Sequence, residues 1–371
     1  MNDAPRKIAL VTDWLTDMGD QEQLLLALHA LYPRAPIYTS VYDRKKMTTF
    51  RGCDVRTTTL QKTLPRFLRY KHDLWPAQRI KAFRTLDLSE FDIIISVSSA
   101  EAKAIKKTRP DQVHIAYVTT PNRTYWTHPE EFKRNFDVGE LTWLVKLFIP
   151  LFVRKMRKLD LETIPEVDIF IANSTVTQSR IKQYYDRPST VVHPPVAIDR
   201  FTPPPKTDRQ GYIIWGQHLA YKRFDIAVRA CNKLQLPLTV IGDGPTTEQL
   251  KEIAGPTITF TGHVSDAELV DRAQHAKAFL SPSEEDFGIS AAEALAAGTP
   301  VIAYGKGGIQ DIIQDGETGI LFKEQTVDSL VAAIKRFQDN TFLPATLHRK
   351  SKRFASSLFS QKISKIVSDS M

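Results

Sequence analysis

The apolar residues in the first half of the chain fall into short runs that alternate with helical patterns. Residues 7–15 form an apolar run that leads into a polar loop, which is typical of a buried strand in a parallel sheet. Residues 22–32 then have apolar positions at helical spacing. Further β-rich runs follow between helical stretches, at residues 35–42, 91–99, 113–120 and 167–174.

A second series of the same kind fills the other half of the chain. Residues 211–216 predict a strand, and residues 224–234 predict the helix after it. More strand-like runs come next, at residues 236–244, 257–264, 277–283 and 300–305. Strands that alternate with helices twice over predict an α/β protein with two open, doubly wound parallel sheets.

A proline-rich stretch between the two series indicates the domain organisation. Residues 191–210 contain five prolines, which indicates a stiff linker. A length of 371 residues also favours two domains over one. We therefore predict a first domain over 1–195, a linker over 196–210 and a second domain over 211–345. The last segment, 346–371, predicts an amphipathic basic helix that crosses back to the first domain.

The composition indicates a soluble globular protein of a reducing compartment. Hydrophobic residues make up 42% and charged residues 25% of the chain, which are ordinary values. The two cysteines, Cys53 and Cys231, match no metal-binding or redox spacing. The first residues do not resemble a signal peptide. The longest apolar run, 141–153, contains Lys146 and Pro150 and is too short to span a bilayer. We therefore expect a cytoplasmic protein.

Charge is distributed unevenly along the chain. Residues 1–200 contain 31 Lys and Arg against 23 Asp and Glu, an excess of +8, whereas residues 201–340 contain 13 against 18. This asymmetry predicts an anionic partner for the first half, either nucleic acid or an anionic membrane surface. A basic surface that serves only solubility is the alternative. Nucleic acid is disfavoured, because the sequence contains no helix-turn-helix, zinc-finger or aromatic strand signature.

The candidate chemistry lies in residues 281–300, SPSEEDFGISAAEALAAGTP. Glu285 falls in the loop at the end of a predicted strand, and Glu293 about one turn inside the next helix. The helix should begin near Ile289, where free backbone N–H groups suit a phosphate and Gly288 permits close approach. Carboxylates repel phosphate but accept hydrogen bonds from sugar hydroxyls, so the combination indicates a nucleotide sugar. Each glutamate considered alone is more simply a solvated surface charge.

Residues 285–322 resemble the nucleotide-sugar segment of retaining glycosyltransferases of family 4, whose E-x7-E motif corresponds to Glu285 and Glu293. Residues 221–245 resemble the family's phosphate-binding lysine segment, and the resemblance extends over nearly the whole chain. First-half segments such as YVTTPNRTYW are similar to the bacterial mannosyltransferase-like branch. The resemblance implies the GT-B fold, in which two Rossmann-like doubly wound domains face each other across a cleft.

The resemblance also implies roles for individual residues. Glu285 would contact the donor sugar and stabilise charge at its anomeric carbon, Lys222 would neutralise the departing diphosphate, and Glu293 would hold the ribose. Neither a metal ion nor another cofactor is required, and the sequence contains no evident Asp-x-Asp pair. Further donor contacts are implied for Phe287, Gly288 and Ile289 through their backbone amides, for Val264 near the base, and for Gln217, Gly19 and Thr119.

Three positions in the segments that resemble the family depart from its pattern. Asp20 stands in the first loop where the family usually has glycine, Thr119 stands where it has a histidine, and Gln217 where it has an arginine. Asp20 and Gln217 should weaken the binding of a diphosphate. Two hypotheses remain: a working enzyme with altered donor or acceptor geometry, or a weakly active or non-catalytic protein that binds sugar nucleotides or glycans.

The resemblance thus implies a retaining hexosyltransferase of cell-envelope polysaccharide synthesis. Its donor would be GDP-mannose-like or a UDP-sugar, and its acceptor a glycan or lipid-linked glycan. Residues 61–86 and 141–159 interleave basic with aromatic and aliphatic side chains. This pattern favours attachment to anionic lipid on the inner face of the cell membrane, although an ordinary basic helix that covers the first sheet would show it too.

Overall fold

The computed structural model describes residues 6–135, 139, 142–201 and 209–370, which divide into two units. The first unit comprises the residues up to Val192 together with those from Lys362 onward, and the second comprises His193–Gln361. Each unit contains one parallel β-sheet with its own hydrophobic core.

The sheet of the first unit has seven parallel strands in the order β3-β2-β1-β4-β5-β6-β7. All six residues of its central strand β4 are buried, as expected for a parallel strand that is covered on both faces. The strands are β1 (Ile8–Thr12), β2 (Ile37–Thr39), β3 (Val55–Thr57), β4 (Ile93–Ser98), β5 (Val113–Val118), β6 (Ile169–Ala172) and β7 (Thr190–Val191).

Helices connect these strands, and the longest of them continues through a proline. That helix is α5, which includes Pro150. Ser174 begins α6 as a capping residue, because its hydroxyl accepts a hydrogen bond from Thr177 N. The helices are α1 (Asp20–Leu31), α2 (Leu60–Thr63), α3 (Pro76–Arg84), α4 (Pro129–Asn135), α5 (Thr142–Leu161) and α6 (Thr175–Tyr185).

The sheet of the second unit has six parallel strands in the order β10-β9-β8-β11-β12-β13. Counted from β8, this is the order 3-2-1-4-5-6 of a doubly wound nucleotide-binding sheet. The prediction of two doubly wound sheets is therefore confirmed. The strands are β8 (Tyr212–Trp215), β9 (Leu238–Ile241), β10 (Ile258–Gly262), β11 (Ala278–Ser281), β12 (Val301–Tyr304) and β13 (Gly319–Phe322).

The helices of the second unit pack around one continuous core. α10 contributes Ala291, Ala292 and Ala294 to that core, and their small side chains allow it to lie close to its neighbours. The helices are α7 (Phe224–Leu234), α8 (Thr247–Glu252), α9 (Asp266–His275), α10 (Ile289–Ala296), α11 (Val327–Gln338), α12 (Pro344–Ser351) and the start of α13 (Ser356–Asp369).

The unit boundaries differ from the predicted domain limits on both sides of the second unit. Val196, Ile198 and Phe201 fall within the predicted linker or at its start, yet they are buried in the core of the second unit. Residues 202–208 of that linker lie outside the described residues. At the other end, the predicted C-terminal helix is two helices, α12 and α13, and Leu347 and Phe354 are buried in the second core. Hydrophobic burial, which proline content does not reveal, explains both differences.

No helix among the described residues is long and apolar enough to cross a membrane.

Candidate functional site

The carboxyl ends of β8 and β11 lie side by side in the second unit, at the point where its strand order reverses. β8 pairs with β9 on one side and with β11 on the other. Residues 216–223 follow β8, and residues 282–288 follow β11. Open α/β sheets bind their ligands beyond the strand ends at such a reversal point, so these two loops define the candidate site.

Lys222 and Glu285 meet at this point. Lys222 Nζ lies 3.6 Å from Glu285 Oε1, and the two side chains are 18% and 16% exposed. Ser283 Oγ donates a hydrogen bond of 2.8 Å to the same carboxylate oxygen. An ammonium group and a carboxylate are thus held together in a partly desolvated place, where charges act more strongly than in bulk water.

The backbone after Glu285 is fixed by two glycines. Gly308 N donates to Glu285 O at 2.7 Å, and a Cβ on Gly308 would lie only 2.2 Å from Asp286 O. Gly288 has a φ of 104° and is the N-cap of α10, which begins at Ile289 as predicted. The free N–H groups of this helix start therefore lie a few residues after Glu285, and such groups bind anions.

Phe287 offers only its backbone to a ligand. Its side chain is 4% exposed, its ring stacks on His193 with centroids 5.4 Å apart, and it meets Phe354 edge-on, also at 5.4 Å. His193 Nε2 lies 3.1 Å from Asp311 Oδ2. These contacts fix the Phe287 ring inside the protein, which agrees with a role in ligand binding for its backbone amide rather than for its ring.

Glu293 is held by two residues that the sequence reasoning missed. Arg200 Nη2 donates to Glu293 Oε1 at 2.5 Å, and Trp215 Nε1 donates to Oε2 at 3.3 Å. The Glu293 side chain is 12% exposed. Because an ionised carboxylate offers about four lone-pair sites, Glu293 can accept a hydrogen bond from a ligand, such as one from a ribose hydroxyl, beside these two.

Gln217 and His218 occupy different environments although they are adjacent. Gln217 is exposed in the loop after β8. His218 is fully buried, and its Nδ1 lies 2.8 Å from Thr247 Oγ1. Burial is the main cause that lowers the pKa of His218, so its ring is neutral at physiological pH. His218 therefore does not replace the cation that is lacking at Gln217.

Val264 lies in the loop between β10 and α9, beyond the carboxyl end of a third strand of the same sheet. It is partly buried against the core of the second unit. The second unit thus gathers most predicted site residues at its strand ends: Gln217, Lys222, Val264, Glu285, Phe287, Gly288, Ile289 and Glu293.

The other two predicted residues, Gly19 and Thr119, belong to the first unit. Gly19 is the N-cap of α1, and Asp20 is its exposed first residue. Glu22, in the first turn, is 6% exposed, and a Cβ on Gly19 would lie 3.2 Å from its Oε2. Burial raises the pKa of Glu22 to about 7. A carboxyl group thus folds back over the start of α1, as in a capping box.

Thr119 follows β5, and its backbone N–H donates to Ser98 O at 3.0 Å. A nearby anion-binding nest at the end of β4 is already filled by the buried carboxylate of Asp13. Ser99 N, Ala100 N and Ala102 N donate to it at 2.8, 3.0 and 2.6 Å. The backbone N–H groups of this nest therefore already bind a carboxylate of the first unit itself.

No cluster of three or more His, Cys, Asp or Glu side chains suited to a metal ion occurs in the described part of the chain.

Comparison with solved structures establishes the GT-B fold. Anabaena HepE in complex with UDP superposes with a TM-score of 0.71 at 17% identity, over 98% of this chain and 100% of that one. The lipopolysaccharide outer core galactosyltransferase WaaB gives a TM-score of 0.68 at 16% identity, with the same coverage. The fold class expected from the sequence is thereby confirmed.

Residues 197–354 match the family model described as "Glycosyl transferases group 1". These residues include every site residue of the second unit described above except His193. The match supports the expected resemblance to family 4 glycosyltransferases at the level of this broader group.

Curated relatives are similar over part of their length. A D-inositol 3-phosphate glycosyltransferase of Mycolicibacterium smegmatis is 29% identical over 219 residues, which cover 52% of this chain and 50% of the relative. A GDP-mannose-dependent alpha-(1-6)-phosphatidylinositol monomannoside mannosyltransferase of Mycobacterium tuberculosis is 27% identical over 198 residues, 45% of this chain and 51% of the relative. The matched part of the chain spans about half the length of such relatives.

Proposed function

We propose that this protein is a glycosyltransferase that uses a nucleoside diphosphate sugar as its donor. The observation that supports this most directly is the Lys222–Glu285 pair, 3.6 Å apart at the strand ends of the second unit and next to the start of α10. That region also lies within the match to glycosyl transferases group 1. The enzyme moves a hexose to a glycan or lipid-linked acceptor with retention of anomeric configuration.

The chemistry follows from charges that are fixed before the donor binds. Lys222 and the N-terminal amides of α10 stabilise the negative charge that grows on the diphosphate as the sugar–phosphate bond breaks. Glu285 faces the positive charge that develops at the anomeric carbon and accepts hydrogen bonds from sugar hydroxyls. Glu293 accepts the ribose hydroxyls. The donor contacts implied for Gly19 and Thr119 in the first unit stay predictions.

The donor class that we favour is GDP-mannose-like or a UDP-sugar, with a role in cell-envelope polysaccharide synthesis. One curated relative is named as dependent on GDP-mannose, and a structural neighbour was solved with UDP-glucose. Both types of donor present a ribose to Glu293 and a diphosphate to Lys222. No metal ion or further cofactor is part of the proposal.

A screen of the purified protein against GDP-, UDP- and dTDP-sugars tests the proposal. We expect at least one nucleotide sugar to raise the melting temperature, because a ligand that binds only the folded state stabilises it by about 2.7 kcal/mol at one hundred times its Kd. The same donor should be hydrolysed slowly or transferred to a supplied glycan acceptor, as followed by release of the nucleoside diphosphate.

The product also tests the mechanism. The anomeric proton in the NMR spectrum should show the configuration of the donor, and turnover should continue in EDTA. An inverted product would contradict the retaining assignment, and loss of turnover in EDTA would contradict the metal-free one. If no nucleotide sugar shifts the melting temperature even at millimolar concentration, the donor site is wrong.

A second candidate function is the binding of sugar nucleotides without turnover. Two observations favour it: Gln217 leaves the loop after β8 without the expected arginine, and Glu22 places a carboxyl group over the start of α1. Both reduce the attraction for a diphosphate. The donor screen separates the two functions, because a thermal shift without hydrolysis or transfer supports this second one.

The partner we propose besides donor and acceptor is an anionic membrane, which would place this cytoplasmic protein on the inner membrane face. α5 presents an apolar stripe to solvent, and the exposed basic residues Arg154, Lys155 and Lys158 continue along the same helix. Apolar side chains beside cations are typical of helices that lie in the headgroup region of anionic lipid. The stripe consists of Trp143, Leu147, Phe148 and Leu151, which are 67%, 65%, 59% and 64% exposed.

The variant Leu147→Ser/Leu151→Ser should reduce binding to phosphatidylglycerol vesicles by about tenfold or more, since burying one leucine side chain contributes about 1.5–3 kcal/mol. Vesicle co-sedimentation measures the effect. Leu343→Ser, at an equally exposed leucine of the second unit (64%), is the matched control and should bind like the parent. Equal binding of the parent protein to neutral phosphatidylcholine vesicles would contradict the electrostatic part of the proposal.

A further inference from the structure

The first unit has a cavity of about 270 Å³ beyond the carboxyl ends of its first three strands. Thr16 follows β1, Val41 follows β2, and Gln61 lies in α2 after β3. Its position is thus the one that open parallel sheets use for ligands, and its volume is near the lower end of the range for small-molecule sites.

Hydrogen bonds between distant segments hold the walls of this cavity in place. Tyr42 N donates to Gln61 Oε1 at 2.9 Å, and Gln61 Nε2 donates back to Tyr42 O at 3.2 Å. Tyr70 OH donates to Asp43 Oδ2. The loop after β2 is therefore tied both to α2 and to the segment after it, so the cavity does not depend on one mobile loop.

Four cations line the cavity, and none of them forms an ion pair with a carboxylate among the described residues. Arg66 starts a 3₁₀ turn and Arg69 follows three residues later, so their side chains project from the same side. Arg44 and Lys45 come from the loop after β2. By contrast, the neighbouring Lys46 pairs with Asp17 at 3.0 Å.

Asp43 is the one acidic residue that lines the cavity, and its carboxylate already has hydrogen-bond partners. Asp43 accepts hydrogen bonds from Tyr70 OH and from the backbone N–H groups of Lys45 and Lys46. The hydrogen bond from Tyr70 is the first cause that lowers the pKa of Asp43, so its carboxylate is ionised and engaged. Arg69 Nε donates to Leu64 O at 3.0 Å. The other side-chain donors of the four cations have no acceptor among the described residues and are thus left to act on a ligand.

We propose that this cavity binds a phosphate or carboxylate group on the sugar acceptor, and that Arg66 and Arg69 are its principal ligands. Two guanidinium forks on one side of a turn match the geometry of such an oxyanion. The tyrosines then face the sugar to which the anion is attached. The identification of the ligand as the acceptor rests on the proposed glycosyltransferase function, whereas the binding of the anion does not.

Saturation-transfer NMR with glucose 6-phosphate and glucose as probes tests the proposal on the full chain. We expect glucose 6-phosphate to bind at least about tenfold more tightly than glucose, since one charge-assisted hydrogen bond contributes enough free energy for a tenfold difference in affinity. In the variant Arg66→Gln/Arg69→Gln the two affinities should become equal. Lys62→Gln removes an exposed positive charge from the neighbouring α2 without touching the lining and should retain the preference.

Equal affinity for the two probes in the parent protein would overturn the proposal, as would an unchanged preference in the double variant. If phosphatidylglycerol vesicles bind through Arg66 and Arg69 while glucose 6-phosphate does not, the cations serve a lipid headgroup and the acceptor assignment is wrong. Donor titration is a separate readout. Binding of glucose 6-phosphate without binding of any nucleotide sugar would support the anion cavity and contradict the proposed function. Binding of a nucleotide sugar without binding of glucose 6-phosphate would support the proposed function and contradict the anion cavity.

Discussion

Lys222→Met is expected to lower the turnover number for glycosyl transfer by about 100- to 1000-fold, the usual effect of removing one preorganised charge-stabilising donor. Lys222 Nζ lies 3.6 Å from Glu285 Oε1, and its side chain is 18% exposed, so the charge is only partly screened by water. Methionine preserves the length of the side chain and removes the charge. Initial rates at saturating donor and calorimetric donor titration measure the effect.

The pattern of kinetic constants distinguishes this role from simple binding. If Lys222 acts mainly on the departing diphosphate, kcat falls far more than donor affinity does. Lys251→Met removes a charge from an exposed ion pair with Glu248 in the same unit and should leave both constants unchanged. A kcat for Lys222→Met within about threefold of the parent, with an unaltered melting temperature, would remove Lys222 from the mechanism.

The sequence predicted the sheets well, because buried parallel strands are continuous apolar runs. The predicted start of α10 at Ile289 was also correct. The sequence shows a glycine at position 288, and the structure gives it a φ of 104°, which glycine adopts readily. Two short strands, β3 (Val55–Thr57) and β13 (Gly319–Phe322), were missed, because such short runs have no clear period of their own. The two-residue strand β7 (Thr190–Val191) was missed for the same reason. Its pairing with β6 exists only in the folded sheet.

The candidate site was predictable where it consists of one continuous segment. Glu285, Phe287, Gly288 and Glu293 lie within nine residues, and their spacing contains the information. The partners of those residues were not predictable in the same way. Arg200 reaches Glu293 across 93 positions of sequence, and His193 reaches Asp311 across 118. A single sequence has no local pattern for such pairs, because the strand order of the sheet brings them together.

The first unit shows a different limit of sequence reasoning. Asp20 was expected to bring negative charge to the first loop, and the structure shows a second carboxyl group, that of Glu22, at the same helix start. Asp20 is exposed, whereas Glu22 is buried over the start of α1 and its pKa is raised to about 7. Near neutral pH the buried carboxyl is therefore partly protonated, and its repulsion of a phosphate is smaller than the sequence suggests. Helix position decides this, because Glu22 is the third residue of α1 and can reach back to the N-cap, whereas Asp20 is the first.

Arg200→Met should weaken donor binding by about 10- to 100-fold, because a charge-assisted hydrogen bond contributes about 1.5–3 kcal/mol. Arg200 Nη2 donates to Glu293 Oε1 at 2.5 Å, and the carboxylate is only 12% exposed. Without the guanidinium, the Glu293 carboxylate is no longer held in one orientation toward the ribose hydroxyls. The same loss should appear as lower selectivity for a ribose over a deoxyribose.

Calorimetric titration with UDP and 2′-deoxy-UDP, or with the guanosine pair if the donor screen selects it, measures both effects. The parent protein should prefer the ribonucleotide by about tenfold, which corresponds to one well-placed hydrogen bond to a charged acceptor. Arg200→Met should bind both nucleotides alike, and Arg200→Lys should keep part of the preference because it keeps the charge. Arg272→Met, which breaks an exposed pair with Glu268 on α9, should behave as the parent does. If Arg200→Met weakens both nucleotides equally and the preference persists, Arg200 supports the fold near the site and does not position Glu293.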